Sequence, residues 1–335
     1  MSCPKDNRIF SRWQTLALCC HILLIPFLPL YIFTGFVILK KTPRIMGSMK
    51  WAMFNLHVWT SYVDVLICSL ITPYFFFPSL SGFPIGLLQV LNIPVSLQVY
   101  LGMASVFLMV FSVVLLFENR YNSLINHSYH GFPWRRVIFH SLNGLIATCY
   151  LIPVFLNVPN QQEAKFDVLE KIPCPTEEFF TSPTFVFVNS ATWRRYLITS
   201  TAIVSSVMFS ELTVFTMLCA YRLYFAMNHI SSILTMRLQK SFFIGSIIQF
   251  HIPFIFYSTP ALVVAMTISM DYYNQVLNNL FVLIISLHGF ASTIAVLTIH
   301  KPYRTYLLSI FFRKTSHSFG ASANHSKSLK LVSRP

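Results

Sequence analysis

The sequence predicts an all-α membrane protein: a bundle of seven transmembrane helices, N-terminus outside and C-terminus inside. Three observations predict it. Only 10% of the residues are charged, against roughly 25% in an average soluble domain. Seven long apolar runs divide the chain: Thr15–Leu39, Trp51–Phe77, Pro94–Phe117, Val137–Val158, Tyr196–Tyr221, Phe242–Met270 and Val276–Ile299. None contains Lys or Arg, and a helix needs about 20 residues at 1.5 Å each to cross about 30 Å of hydrocarbon. Finally, the basic residues between the runs fall on alternate sides. Barrel strands would appear as segments of about 10 residues with alternating polarity; these runs are longer and apolar all round.

The elements follow in order. Residues 1–14 form a short outer N-terminus. The first run contains Pro26 and Pro29, which kink a membrane helix and free carbonyls for its neighbours. It is too long for the apolar core of a signal peptide, and Lys40, Lys41 and Arg44 flank it as a stop-transfer signal would. The second run ends in Pro73-Tyr-Phe-Phe-Phe-Pro78, expected as aromatic residues at the membrane interface. A charge-free outer loop is expected over Ser79–Ile93. The third run ends at Glu118-Asn119-Arg120-Tyr121, and the longest outer loop, Pro159–Arg195, is expected to fold over the bundle mouth. After the bundle (15–299), residues 300–314 carry Tyr306, Leu307, Ile310 and Phe311 beside Arg304, Arg313 and Lys314, the pattern of a basic amphipathic helix on a membrane surface. Residues 315–335 read as a disordered tail.

The net charge of +14 would point to nucleic acid in a soluble protein. Here 17 of the 24 basic residues fall on the inner side with a single acid, Glu118, so the charge faces anionic lipid headgroups and sets the orientation. No nucleic-acid partner is expected. Among seven cysteines, only Cys3 and Cys174 would face the oxidising side, making them the candidate disulfide. The sequons at Asn126–Ser128 and Asn324–Ser326 lie on the expected inner side and should be unused. The seven-helix order, its polarity and the surface helix after the seventh describe, by analogy, a G-protein-coupled-receptor-like bundle.

Several strings sharpen this: Lys41-Thr-Pro-Arg44-Ile-Met46 after helix one; Leu56-His-Val-Trp59 with Asp64 in helix two; Thr72-Pro-Tyr74 with Pro78; Gly82-Phe-Pro-Ile-Gly86; Glu118-Asn-Arg120; Ile172-Pro-Cys-Pro175; and Lys301-Pro-Tyr-Arg304. In this order and spacing, over about residues 20–310, the chain resembles the nematode serpentine receptor class H chemoreceptors. The resemblance implies chemosensory reception of a small-molecule ligand at the plasma membrane of sensory neurons, with signalling to a heterotrimeric G protein.

Asp64 and Glu211 are the acids inside the apolar runs, and ionisable groups there face the interior and find partners. Asp64 reads as a conformational switch or ion site, or as a hydrogen-bonded packing residue; Glu211 reads as a deep ligand contact or a packing residue. Glu118 and Arg120 sit where rhodopsin-like receptors carry an acidic–Arg–Tyr triplet, but Asn119 turns Arg120 about 100° from Glu118, which argues against direct pairing. Arg120 is either a switch or a positive-inside anchor. Arg120, Arg222, Arg237 and Arg304 are candidate G-protein contacts. His57, Gln249, His251 and His288 read as interhelical hydrogen-bonding groups, and Pro253 and Pro260 as a kink in helix six. A ligand pocket is expected between the outer halves of helices three, five, six and seven, with Gln98, Tyr100, Tyr257 and Ser258 placed for it. No cofactor or metal site is expected. Two other classes remain. A transporter would show internal repeats, and a membrane enzyme would show clustered catalytic residues or an H-E-x-x-H or G-x-S-x-G motif; the sequence has neither signal.

Overall fold

A computed structural model describes residues 6–43, 47–125, 133–226 and 233–310. Seven helices form the bundle: α1 Trp13–Lys41, α2 Gly47–Val65, α3 Val95–Ile125, α4 Pro133–Cys149, α5 Ala191–Tyr221, α6 Ile233–Ser269 and α7, whose pieces Gln275–Ile285 and His288–Ile299 meet at Ser286–Leu287. Six are long and apolar enough to cross a membrane. The seventh, α2, carries Lys50, Asn55, His57 and Asp64, which lower its mean hydropathy. Its place among the others is internal: α3 packs mainly on α2 and α5, and α2 also meets α1 and α7. Outward faces are greasy, with Ile25, Ile32, Leu145, Ile203, Met217 and Leu262 exposed, as a hydrocarbon solvent requires. Three apolar clusters fill the interior among the described residues, one around Met53, Phe117, Phe242 and Tyr303, one around Leu16, Tyr74, Phe76 and Val282, and a smaller one around Leu151, Phe187 and Leu197.

The second apolar run does not stay helical to Phe77. After Val65, α2 widens into a π turn over Leu66–Leu70 and stops. Thr72 then takes a left-handed backbone, φ 44°, and precedes Pro73, which disfavours helix at the residue before it. Pro73–Phe75 becomes strand β1, paired antiparallel with β2 (Leu80–Pro84), and β2 pairs antiparallel with β3 (Phe185–Val188). The aromatic run is therefore internal rather than interfacial: Tyr74 and Phe76 are fully buried. The expected charge-free loop supplies β2, and the long loop supplies β3 together with a helix over Gln161–Lys171. Aromatic residues fit a half-buried strand well, and the prolines bounding the run disfavour helix at the residues before them.

Polar side chains hold this small sheet to the bundle. On the first turn of α7, Gln275 Nε2 donates to Phe75 O at 3.0 Å, and Asn278 Nδ2 donates to Phe77 O at 3.2 Å. These bonds occupy the outer edge of β1, which would otherwise be left unpaired. Tyr74 donates to Ser11 O at 2.6 Å. Gln161 clamps β3 from the far side, accepting from Val186 N at 2.8 Å and donating to Val186 O at 3.1 Å. Tyr273 accepts from Thr176 N and donates to Gln275. Burial pushes its phenol up to about 12, so it remains a donor at physiological pH.

Other boundaries also shift. α3 continues past Glu118 to Ile125, and the fourth run breaks at Cys149, with a separate turn over Ile152–Leu156. Residues 301–310 continue as helix after α7, and Tyr303 joins them to α1 through Thr42 at 2.7 Å. Residues 311–335, the sequons at Asn126 and Asn324, and Arg44–Met46 lie outside the described residues.

Gly82 allows β1 and β2 to approach, since a Cβ there would lie 2.5 Å from Tyr74 O. Gly82→Ala is expected to cost about 1–3 kcal/mol, as overpacking does. Gly144→Ala, where nothing lies within 4 Å, should leave the thermal unfolding midpoint of the purified protein unchanged.

Candidate functional site

Under the sheet lies a cavity of about 400 Å³, within the size range of small-molecule sites. β1, β2 and the Phe185 and Phe187 rings of β3 roof it; the π turn after α2, with α3, α5, α6 and α7, walls it. Along α3 its wall runs from Val95 to Phe107, twelve residues or ~18 Å. Of the four residues expected to meet a ligand, Gln98 and Tyr257 line this cavity. Tyr100 turns away to α4, donating to Thr148 O at 3.1 Å and packing on Phe155. Ser258, one position along α6 from Tyr257, is also off the wall; Glu211 faces Asn143 on α4 at 3.3 Å instead. Sequence periodicity alone could not settle these directions, because none of α3, α5 and α6 has a strongly one-sided apolar pattern.

Below the cavity a polar cluster joins three helices. Asp64 on α2 is fully buried. Its carboxylate accepts from Tyr31 of α1 at 2.5 Å and from the backbone N–H of Phe290 at 3.1 Å. His288 Nδ1 lies 2.6 Å from the other carboxylate oxygen and 2.8 Å from Ile285 O. A carbonyl oxygen only accepts, so Nδ1 carries the proton. The break in α7 exposes the Phe290 N–H and the Ile285 carbonyl, and Gly289 lets α7 close in: a Cβ there would overlap the Asp64 carboxylate. An ion at Asp64 would have to displace these donors. The ring of His288 meets Tyr257 edge-on at 4.9 Å. Tyr257 thus belongs both to the cavity wall and to the Asp64 cluster. His57 hydrogen-bonds Tyr31 O at 2.9 Å and so supports the same cluster.

At the opposite end of the bundle, Glu118 and Arg120 take separate partners. Glu118 receives Arg136 Nε and Nη2 of α4 at 2.8 and 2.9 Å, with His140 at 3.4 Å and Asn122 one turn away. Arg120 is 2% exposed and reaches α6, donating from Nη2 to Gln239 O at 2.6 Å, with its guanidinium over the Phe243 ring. Among the described residues its Nε and Nη1 have no hydrogen-bond partner. The intervening Asn119 explains the split by rotating the two side chains onto different faces of α3. Arg222, Arg237 and Arg304 lie at this same end, Arg237 and Arg304 exposed. Sequence reasoning did not find Arg136, Gln239 or Tyr31, since nothing local marks an arginine or a backbone carbonyl as another helix's partner.

Cys174 is disulfide-bonded, while Cys19, Cys20, Cys68, Cys149 and Cys219 are free thiols. Cys3 lies outside the described residues. No group of three or more His, Cys, Asp or Glu side chains that could hold a metal ion occurs among the described residues.

A roofed apolar cavity at one end, a polar junction in the middle and a buried arginine at the other define a serpentine, multi-pass membrane protein of the seven-helix receptor class. The chain matches the family model of the serpentine type 7TM GPCR chemoreceptor Srh over residues 11–313. It is 33% identical to serpentine receptor class H-72 of Caenorhabditis elegans over 312 residues, 93% of this chain and 90% of that protein. The chain belongs to the Srh family of serpentine chemoreceptors.

Removing the Asp64 carboxylate strands two donors at once, the Tyr31 hydroxyl and the Phe290 N–H, and takes away the close contact of His288. Asp64→Ala is expected to cost about 3–5 kcal/mol, as breaking a buried pair does, and Tyr31→Phe about 1.5–3 kcal/mol. Thermal unfolding of the purified variants checks that order.

Proposed function

We propose that this protein is a chemosensory G-protein-coupled receptor: a small molecule binds in the cavity under the sheet, and a heterotrimeric G protein is activated at the opposite end. The observation that carries the reading is Tyr257, shared between the cavity wall and the Asp64–His288 cluster. A ligand pressing on Tyr257 acts on the junction of α1, α2 and α7. The same helix carries Gln239, the acceptor for Arg120, eighteen residues or ~27 Å away. Pro253, inside α6 between the two, removes one backbone hydrogen bond there. Movement of α6 at Tyr257 therefore changes how Gln239 O holds Arg120. Released, the guanidinium becomes a donor for a cytoplasmic partner, with Arg222, Arg237 and Arg304 around it. Asp64, Glu118 and Arg120 are the switch residues of this scheme.

The basic excess at the Arg120 end supports placing that end and the C-terminus in the cytoplasm. The disulfide at Cys174 supports placing the sheet end in an oxidising compartment outside, with Cys3 as the proposed partner. The helix over 301–310 then lies on the inner leaflet. The plasma membrane of sensory neurons is the proposed location, through the family. Membership of a serpentine chemoreceptor family supports a receptor rather than an enzyme.

In cells expressing the chain, Arg120→Ala is expected to abolish ligand-triggered cAMP, cGMP or Ca²⁺ change while surface expression holds. Asp64→Asn keeps the side-chain shape but alters the His288 contact, and should shift basal or maximal signalling. Wild-type signalling by both variants would overturn the mechanism, and solute uptake without G-protein dependence would overturn the receptor reading.

A further inference from the structure

We infer that the ligand presents only hydrocarbon to this cavity, and that shape and dispersion select it without any hydrogen bond. The inference rests on the reading of the cavity as the ligand site and narrows the chemistry that site accepts. Among the described residues lining it, no Asp, Glu, Lys, Arg or His occurs, and the surface turned to the space is hydrocarbon almost throughout.

Three side chains of the lining carry polar atoms, and each keeps them out of the space. Gln98 is fully buried. Its Nε2 donates to Ile93 O at 2.8 Å and to Gln89 Oε1 at 3.2 Å, and its own Oε1 is buried. The Tyr257 hydroxyl is buried too. Ser81 is buried, with its hydroxyl 2.5 Å from that of Ser79. The roof hides its backbone in the same way. β2 pairs with β1 along one edge and with β3 along the other, while Gln275 and Asn278 take up Phe75 O and Phe77 O. The rings of Phe75, Phe77 and Phe281 form one aromatic corner, their centroids 5.0, 5.6 and 6.0 Å apart.

Water is a poor occupant of such a space, since it needs about two to four polar partners. Unless an occupant supplies them, the lining atoms lack dispersion partners on that side. A hydrocarbon supplies those contacts and gives up no hydrogen bond to do so. An alcohol of the same length surrenders the bonds its hydroxyl makes at the membrane surface and receives none in return. Carboxylates and ammonium ions lose more, because no counter-charge meets them. A free hydrocarbon and the acyl chain of a bilayer lipid share this chemistry.

The test uses the full chain in lipid nanodiscs, with n-octane, 1-heptanol, heptanoate and heptylammonium titrated against the thermal unfolding midpoint at neutral pH. n-Octane and 1-heptanol have equal numbers of heavy atoms, and doses are expressed as mole fraction in the bilayer so that partitioning cancels. Gly102→Leu and Val106→Phe, both on the α3 wall, are two independent cavity-filled controls. A Cβ at Gly102 makes only ordinary contact with Ile71 at 3.6 Å. n-Octane is expected to raise the wild-type midpoint at a mole fraction about tenfold below that of 1-heptanol, the worth of a hydroxyl left unpaired. Both variants should lose the effect, and neither ion should stabilise through the cavity. Lipid extraction separates the two sources. A co-purified lipid held by the wild type and released by both variants assigns the hydrocarbon to an acyl chain; stabilisation by n-octane without such a lipid assigns it to a free molecule. Equal or better cavity-dependent stabilisation by 1-heptanol, heptanoate or heptylammonium would overturn the inference, as would no stabilisation by any probe with no lipid retained. The receptor reading stands apart from these outcomes, because it is judged by signalling and by Arg120→Ala.

Discussion

A carboxylate in the middle of a hydrocarbon slab sets the terms for the rest of this molecule. Water does not reach that depth, so Asp64 must collect its donors from the protein. It takes them from two neighbouring helices, a phenol from α1 and a backbone N–H from α7, with the His288 imidazole of α7 against its other oxygen. In lipid there is no hydrophobic force to press helices together, and association rests on packing and interhelical hydrogen bonds. The cluster supplies both, since Gly289 brings the α7 backbone against the α2 carboxylate. The break at Ser286–Leu287 is the local cost of this arrangement: the helix gives up regularity there and turns its loose backbone groups toward the acid and the imidazole.

The two ends of the bundle solve the same problem differently. At the sheet end, backbone polarity is the difficulty, and Gln275, Asn278 and Gln161 cap strand edges as neighbouring strands would. At the other end, long cationic side chains are the difficulty. Glu118 is surrounded by Arg136, His140 and Asn122, whereas Arg120 holds a single carbonyl and leaves two nitrogens unmatched. The first arrangement is saturated and fixes α3 to α4. The second is under-satisfied and joins α3 to α6, the helix that also borders the cavity.

The sequence made the bundle legible because a membrane span is a property of composition, read over twenty or more residues without knowledge of any partner. It was legible down to Pro26 and Pro29 inside α1 and to the continued helix after α7. The sheet was not. A run such as Pro73-Tyr-Phe-Phe-Phe-Pro78 is equally apolar as helix end, interfacial belt or strand, and what decides between them is its pairing with β2, itself paired with β3 a hundred residues later. The same limit applied within the site. Gln98 and Tyr257 could be placed by depth, but Tyr100 and Ser258 at similar depth face elsewhere, because rotation about a uniformly apolar helix leaves no mark in the sequence. Asp64 announced itself by its cost and His288 as an interhelical hydrogen-bonding group, but Tyr31 was ordinary until the fold brought it to them.

The roof and the walls of the cavity come from different kinds of chain. The walls are helices fixed by lipid length and by their packing on one another, so a change at Val99 or Val282 is felt through the bundle. The roof is three short strands, two from the stretch after α2 and one from the segment between α4 and α5, clamped at their edges by side-chain amides. Gly82 holds β1 and β2 at a fixed spacing, while the tie between the sheet and the spans rests on a few side-chain amides.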